Sequence, residues 1–167
     1  MTPVVLRCTD KLAQLLGVRR SALAEPAADG GSEWYGNLLW LDRRKCILFT
    51  HAETLFSFLV ADVLKADVSP IGPFLVSRVE FELATEELPV DLFGRLDRDS
   101  VHIAKTASRS ILGSMNDLAL QWEHTVEASG GLESTDVAGT NRRLRRMPMG
   151  AIRYAHPIDL VRERAER

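Results

Sequence analysis

The sequence predicts an α+β domain: a mainly antiparallel sheet of about four strands packed against two principal helices. Three observations lead there. Two apolar runs, Trp34 to Leu41 and Lys45 to Thr50, flank the charged tip Asp42-Arg43-Arg44, which is the pattern of a hairpin. From about Ser108 to Ala128, the residues Ile111, Leu112, Met115, Leu118, Ala119, Trp122 and Val126 fall within about 120° of one another at 3.6 residues per turn. The whole is 167 residues long with 46% hydrophobic and 26% charged side chains, enough for one self-sufficient core.

Taken in order, Val4 to Cys8 reads as a first strand. Thr9 or Asp10 caps a short helix carrying Leu12, Leu15 and Leu16. Glu25 to Ser32 is a loop by its Pro, Gly and Asp content. Both hairpin strands are apolar on both faces, so each is expected to be covered on both sides. Trp34, Tyr35 and Trp40 read as core aromatics. Thr54 to Val60 is ambiguous. Thr50 and Glu53 fit a capping box, whereas Leu55 to Val60 suits a third strand, the preferred reading.

Ser69-Pro70 opens a helix to about Leu88, interrupted by Pro89. A short helix is expected around Asp91 to Leu96, then a strand from Ser100 to Lys105. Ser129-Gly130-Gly131 stops the long helix. The domain proper is read as residues 1–130. Residues 131–167 are a polar, arginine-rich C-terminal extension with a final turn at Pro157 to Glu166.

Charge is unevenly distributed. From Asn141 onward there are eight arginines against three acids, while the first 140 residues carry 13 basic and 20 acidic side chains. An acidic body therefore bears a basic tail. No apolar run reaches the roughly 18 residues that span a bilayer, and the N-terminus lacks a signal-peptide pattern. Cys8 and Cys46 sit in apolar runs and read as core residues of a reducing compartment. These features lead us to expect a cytoplasmic protein without a membrane role.

Motifs exclude several chemistries. The chain has no P-loop, no G-x-G-x-x-G and no G-x-S-x-G elbow, and its four histidines and two cysteines lack zinc spacing. No cofactor or metal is expected. Ser110, Asp117 and His124 mimic a triad on one helical stripe, but neighbours seven residues apart stand about 10 Å apart along the axis. A nucleophile and its base need about 3 Å.

The most chemical-looking segment runs from a strand into a helix: Lys105, Thr106, Ser108, Arg109 and Ser110. A helix start offers free N–H groups, and the two cations and three hydroxyls suit an anion. The plainer reading is that Ser108 caps the helix and Arg109 pairs with an acid. Asn116 and Asp117 border the apolar stripe as a polar rim. Arg142, Arg143, Arg145 and Arg146 suit nucleic acid or an acidic partner, or fold back on the acidic body.

Three stretches resemble one family of small bacterial cytoplasmic proteins with a domain of unknown function. They are Trp34-Tyr35-Gly36-Asn37-Leu38-Leu39, Lys45 to Thr50, and Lys105-Thr106-Ala107-Ser108-Arg109-Ser110-Ile111-Leu112-Gly113-Ser114-Met115-Asn116-Asp117. The resemblance covers roughly residues 4–127, with an echo at Met147-Pro148-Met149. It implies that Lys105, Thr106, Ser110, Arg109, Asn116 and Asp117 act as one unit, and it carries over no catalytic residue or ligand.

The leading expectation is a non-catalytic binding or regulatory module with a protein partner or a second copy of itself. One alternative is an enzyme acting on a phosphate-containing substrate, such as a nuclease, through Lys105 and Arg109. Another is a nucleic-acid-binding regulator acting through Arg142 to Arg146.

Overall fold

In the computed structural model, which describes residues 1–23 and 32–167, the Val4 to Cys8 run becomes β1 (Thr2–Cys8). Thr9 then caps α1 (Asp10–Leu15), its side chain accepting from the Leu12 N–H. Residues 25–31 of the expected loop lie outside the described residues; Ser32 opens β2 (Ser32–Leu41). Asp42 and Arg43 both adopt positive φ, the conformation of a two-residue hairpin turn, and lead into β3 (Arg44–His51). β3 runs through Thr50, so no helix is capped there, and the ambiguous stretch resolves as β4 (Ser57–Val60).

The second half supplies α2 (Ile71–Thr85), β5 (Leu96–Lys105) and α3 (Arg109–Ser129), with Ser108 as N-cap and Gly130 in the left-handed conformation as its stop. α4 (Val137–Leu144) and α5 (Pro157–Ala165) follow. The short helix expected at Asp91 to Leu96 does not form. That stretch is a turn, with Gly94 at φ 95°, and the strand begins at Leu96.

The sheet has five strands in the order β4-β3-β2-β1-β5. It is mixed rather than mainly antiparallel. β2 pairs antiparallel with β3 and β3 with β4, but interior β1 runs parallel to both β2 and β5. The physical reason is connection length. β1 reaches β2 through a helix-bearing crossover, which delivers the chain back in the same direction, whereas β2 to β3 is a tight turn.

Alternation along the strands makes two cores. Val4, Leu6, Cys8, Trp34, Ile47 and Phe49 face Leu12 of α1, Leu75, Val79 and Leu83 of α2, and Ile158 and Val161 of α5. Tyr35, Leu41, Cys46 and Leu48 face Met115, Leu118, Trp122 and Val126 of α3, with Leu144 of α4. Gly72 lets α2 seat directly on β5, since a Cβ there would meet the Arg98 carbonyl oxygen. Cys8 and Cys46 are buried and free, and burial pushes the Cys8 thiol up to about 12.

Two sequence expectations need correction. Trp34 and Tyr35 are core residues, but Trp40 is 58% exposed, with the Lys45 ammonium 5.7 Å from its ring. Residues 131–167 are no appended tail: Leu132, Leu144 and Met149 complete one core, and Ile158 and Val161 the other. No helix among the described residues is long and apolar enough to cross a membrane.

Candidate functional site

The segment from Lys105 to Asp117 separates into pieces. Ser108 is the helix cap: its Oγ accepts the Ile111 N–H at 3.2 Å, and its own N–H donates to the Tyr35 hydroxyl at 3.0 Å. Lys105 pairs with Cys8 in the sheet, so alternation puts it on the α1–α2 face, while Arg109 rides on α3 over the opposite face. The structure does not bring these two cations together. Arg109, Ser110, Asn116 and Asp117 are exposed along α3, and Thr106 is half-buried in the strand-to-helix link.

The arginine run folds inward. Arg145 is 1% exposed, and its guanidinium donates to Glu82 Oε2, to Glu86 Oε1 at 3.0 Å and to the Ser57 carbonyl at 3.2 Å. It also stacks on Phe56, 4.4 Å from the ring centroid. Arg146 Nη2 donates to Glu86 Oε2 at 2.6 Å, and Arg142 lies 3.7 Å from Oε1. Burial alone would raise the Glu86 carboxyl pKa. The hydrogen bonds and charges of Arg146 and Arg145 outweigh that and hold it below its ordinary value. Arg143 turns away and donates to Thr125 Oγ1 at 3.1 Å. The run thus divides, Arg142, Arg145 and Arg146 toward the end of α2 and β4 and Arg143 toward α3, and it presents no continuous basic stripe.

A different place has the shape of a site. An open cleft of about 800 Å³ lies at the foot of the sheet, where β2 begins and β3 ends. Its walls include Ser32, Glu33, Tyr35, His51, Phe93 and Arg164, with Ser108 and Ile111 from the start of α3. The sequence did not reveal it because its residues come from six separate stretches, each ordinary alone.

His51 is the central group. It is 3% exposed, 4.2 Å from Phe93 and 5.0 Å from Trp34 by ring centroids. Its Nδ1 accepts the Thr54 N–H at 3.4 Å and lies 2.9 Å from the Thr54 hydroxyl. The Thr54 oxygen in turn accepts the Phe56 N–H at 3.2 Å, so its proton is free to point at Nδ1. Nδ1 is therefore the acceptor nitrogen and Nε2 carries the proton. Burial, reinforced by the nearby Arg164 charge, lowers the imidazole pKa to about 3, so the ring is neutral throughout the physiological range. Nε2 has no hydrogen-bond partner among the described residues, and the ring lines the cleft.

Two hydroxyls behave alike. Tyr35 Oη accepts from the Ser108 N–H, and Ser32 Oγ accepts from Trp34 Nε1 at 2.9 Å, which leaves each proton free to donate. The carboxylates are matched: Glu33 with Arg7 Nε at 2.7 Å, Glu53 with Arg164 Nη1 at 2.6 Å. The cleft thus offers hydrogen-bond donors on an aromatic floor. No cluster of three or more metal-ligating side chains occurs among the described residues.

A family model described as a domain of unknown function, DUF6933, matches residues 5–160. The chain belongs to this family. The DUF6933 match runs from β1 into α5, so it takes in the cleft's Ser32, Tyr35 and His51 and the Arg145 centre alike. No curated protein and no solved structure matches the chain.

Proposed function

We propose that this DUF6933 chain is a non-catalytic binding module and that the cleft at the foot of the sheet is where it binds. The observation that carries this reading is the state of His51. A general base needs a free lone pair and a pKa near the working pH. Here Nδ1 is occupied, Nε2 bears a proton, and the ring's pKa stands at about 3. Such a group donates a hydrogen bond and does no acid–base work. With the Tyr35 and Ser32 hydroxyls it favours a small ligand bearing carbonyl, carboxylate or phosphoryl oxygens, stacked against Phe93.

The phosphate-enzyme reading required Lys105 and Arg109 to converge on one pocket, and their places on opposite faces of the sheet weigh against it. Against the nucleic-acid reading stand two of its four arginines, since Arg145 is buried against Glu82 and Glu86 and Arg146 is paired with Glu86.

The test is an NMR titration of the labelled chain with a panel of small carboxylates, amides, nucleosides and phosphates. Binding is expected to shift Ser32, Tyr35, His51 and Ser108 together. His51→Phe, which keeps the aromatic contact and removes the donor, is expected to weaken the best ligand about tenfold, the loss of one hydrogen bond. Turnover of any panel member, or binding that ignores His51→Phe, contradicts the reading.

A further inference from the structure

The two edges of the sheet are finished differently. At the β4 edge, α4 lays a side chain along the strand. Asn141 Oδ1 accepts the Leu59 N–H at 2.7 Å and Nδ2 donates to the Leu59 carbonyl at 3.1 Å. Arg145 Nε takes the Ser57 carbonyl. Asn141 thereby fills the two backbone bonds that another strand would make, and that edge is closed.

The β5 edge has no such cover among the described residues. The phase of its hydrogen bonding follows from two contacts. The Thr9 N–H donates to the Gly36 carbonyl and the Thr2 N–H to the Arg95 carbonyl. Odd-numbered residues of β1 therefore bond toward β2, and even-numbered ones toward β5. With Leu6 opposite Ile103, His102 and Ala104 turn their backbone groups to β1. Val101, Ile103 and Lys105 turn theirs outward. Lys105 O also receives Arg7 Nη1 at 2.7 Å, which uses one of its two lone pairs. Below Val101 the register breaks: Thr2 faces Leu96 and Val4 faces Val101, so residues 97–100 bulge away and the open edge is residues 101–105.

We infer that two copies of this chain pair through β5, antiparallel, about a two-fold axis at Ile103. The choice of occupant rests on self-complementarity. Centred on Ile103, the pairing sets Ile103 against Ile103 of the second copy and Val101 against its Lys105, so every outward residue finds a partner. A slip of two residues leaves one unpaired, and a parallel arrangement puts Lys105 beside Lys105. Charge agrees. Asp97 and Asp99 precede the edge, and Lys105 and Arg109 end it; Arg98 between the acids is held by Glu80 at 2.8 Å. Antiparallel pairing brings the acidic end of one copy to the basic end of the other. Val101 and Ile103, half-buried in the single chain, gain cover. The result joins two five-stranded sheets into one. Because the edge is short, the dimer forms in a concentration-dependent way.

The experiment uses the full chain. Sedimentation equilibrium from about 1 µM to about 1 mM is expected to show monomer passing to dimer. Over the same range, amide exchange at Val101 and Ile103 is expected to slow, while His102 and Ala104 are protected throughout. A hydrogen-bonded antiparallel pair has Cα atoms about 5.5 Å apart, within disulfide reach. Ile103→Cys under mild oxidation is therefore expected to give a covalent dimer and His102→Cys, which faces Ala104 of the second copy, to give none. The native cysteines are buried and do not compete. A monomer across the whole range overturns the inference. So does a dimer whose Val101 and Ile103 amides exchange as in the monomer.

Discussion

Arg145 and His51 are both buried polar side chains, and they differ in what is left over. Each of the three Arg145 guanidinium nitrogens donates, to Glu82, Glu86 and the Ser57 carbonyl, and the side chain is fully buried. His51 is nearly as deep, yet among the described residues only Nδ1 is engaged, and the ring lies on the wall of an open cleft. Burial alone thus does not distinguish a fold-holding group from a binding group. What distinguishes them is whether the hydrogen-bond account closes.

The comparison is broken most severely at Arg145. Arg145→Met takes the shared, fully buried cation from Glu82 and Glu86, which keep only Arg78 and Arg146 at their outer sides, and is expected to cost about 3 kcal/mol. The measurement is the urea midpoint, with the slope unchanged. Next comes acid. The folded-state pKa of Glu86 is depressed, so its stabilisation is complete above the unfolded value of about 4.3 and is lost as pH falls through the folded value. Unfolding midpoints are expected to drop in that window, and Glu86→Gln is expected to flatten the drop at the expense of stability near neutrality. The smallest effect lies in the segment that looked most chemical. Ser108→Ala removes a cap and should cost about 1 kcal/mol, whereas exposed Arg109→Ala should stay within about 0.5 kcal/mol by thermal unfolding.

What could be read from the sequence was local. The α3 stripe of Met115, Leu118, Trp122 and Val126, with Ser108 and Gly130 at its ends, is periodic and capped, and it appears as expected. So does the hairpin, since its turn and both strands are contiguous. The parallel pairing of β1 was not legible, because alternation in Val4 to Cys8 fixes which side chains face which core but not the direction of the neighbours. Arg145 looked like one of four surface arginines because its partners Glu82 and Glu86 lie about sixty residues away. Glu82 lies in the last turn of α2 and Glu86 is its C-cap, an i, i+4 spacing that puts two acids on one side, but nothing local marks that side as buried.

His51 was the hardest to see. Among four scattered histidines, the one hint is that it ends the apolar run of β3, directly opposite Trp34 in β2. Its chemistry appears only when Thr54, Phe93 and Arg164 close around it.

The most direct test of the account is therefore the imidazole itself, followed by nitrogen-15 NMR in the full chain from pH 8 to pH 4. The account predicts that His51 stays neutral over that range as the Nε2–H tautomer. A His51 that protonates near pH 6.5, or that carries its proton on Nδ1, would contradict the claim that the cleft presents a fixed donor.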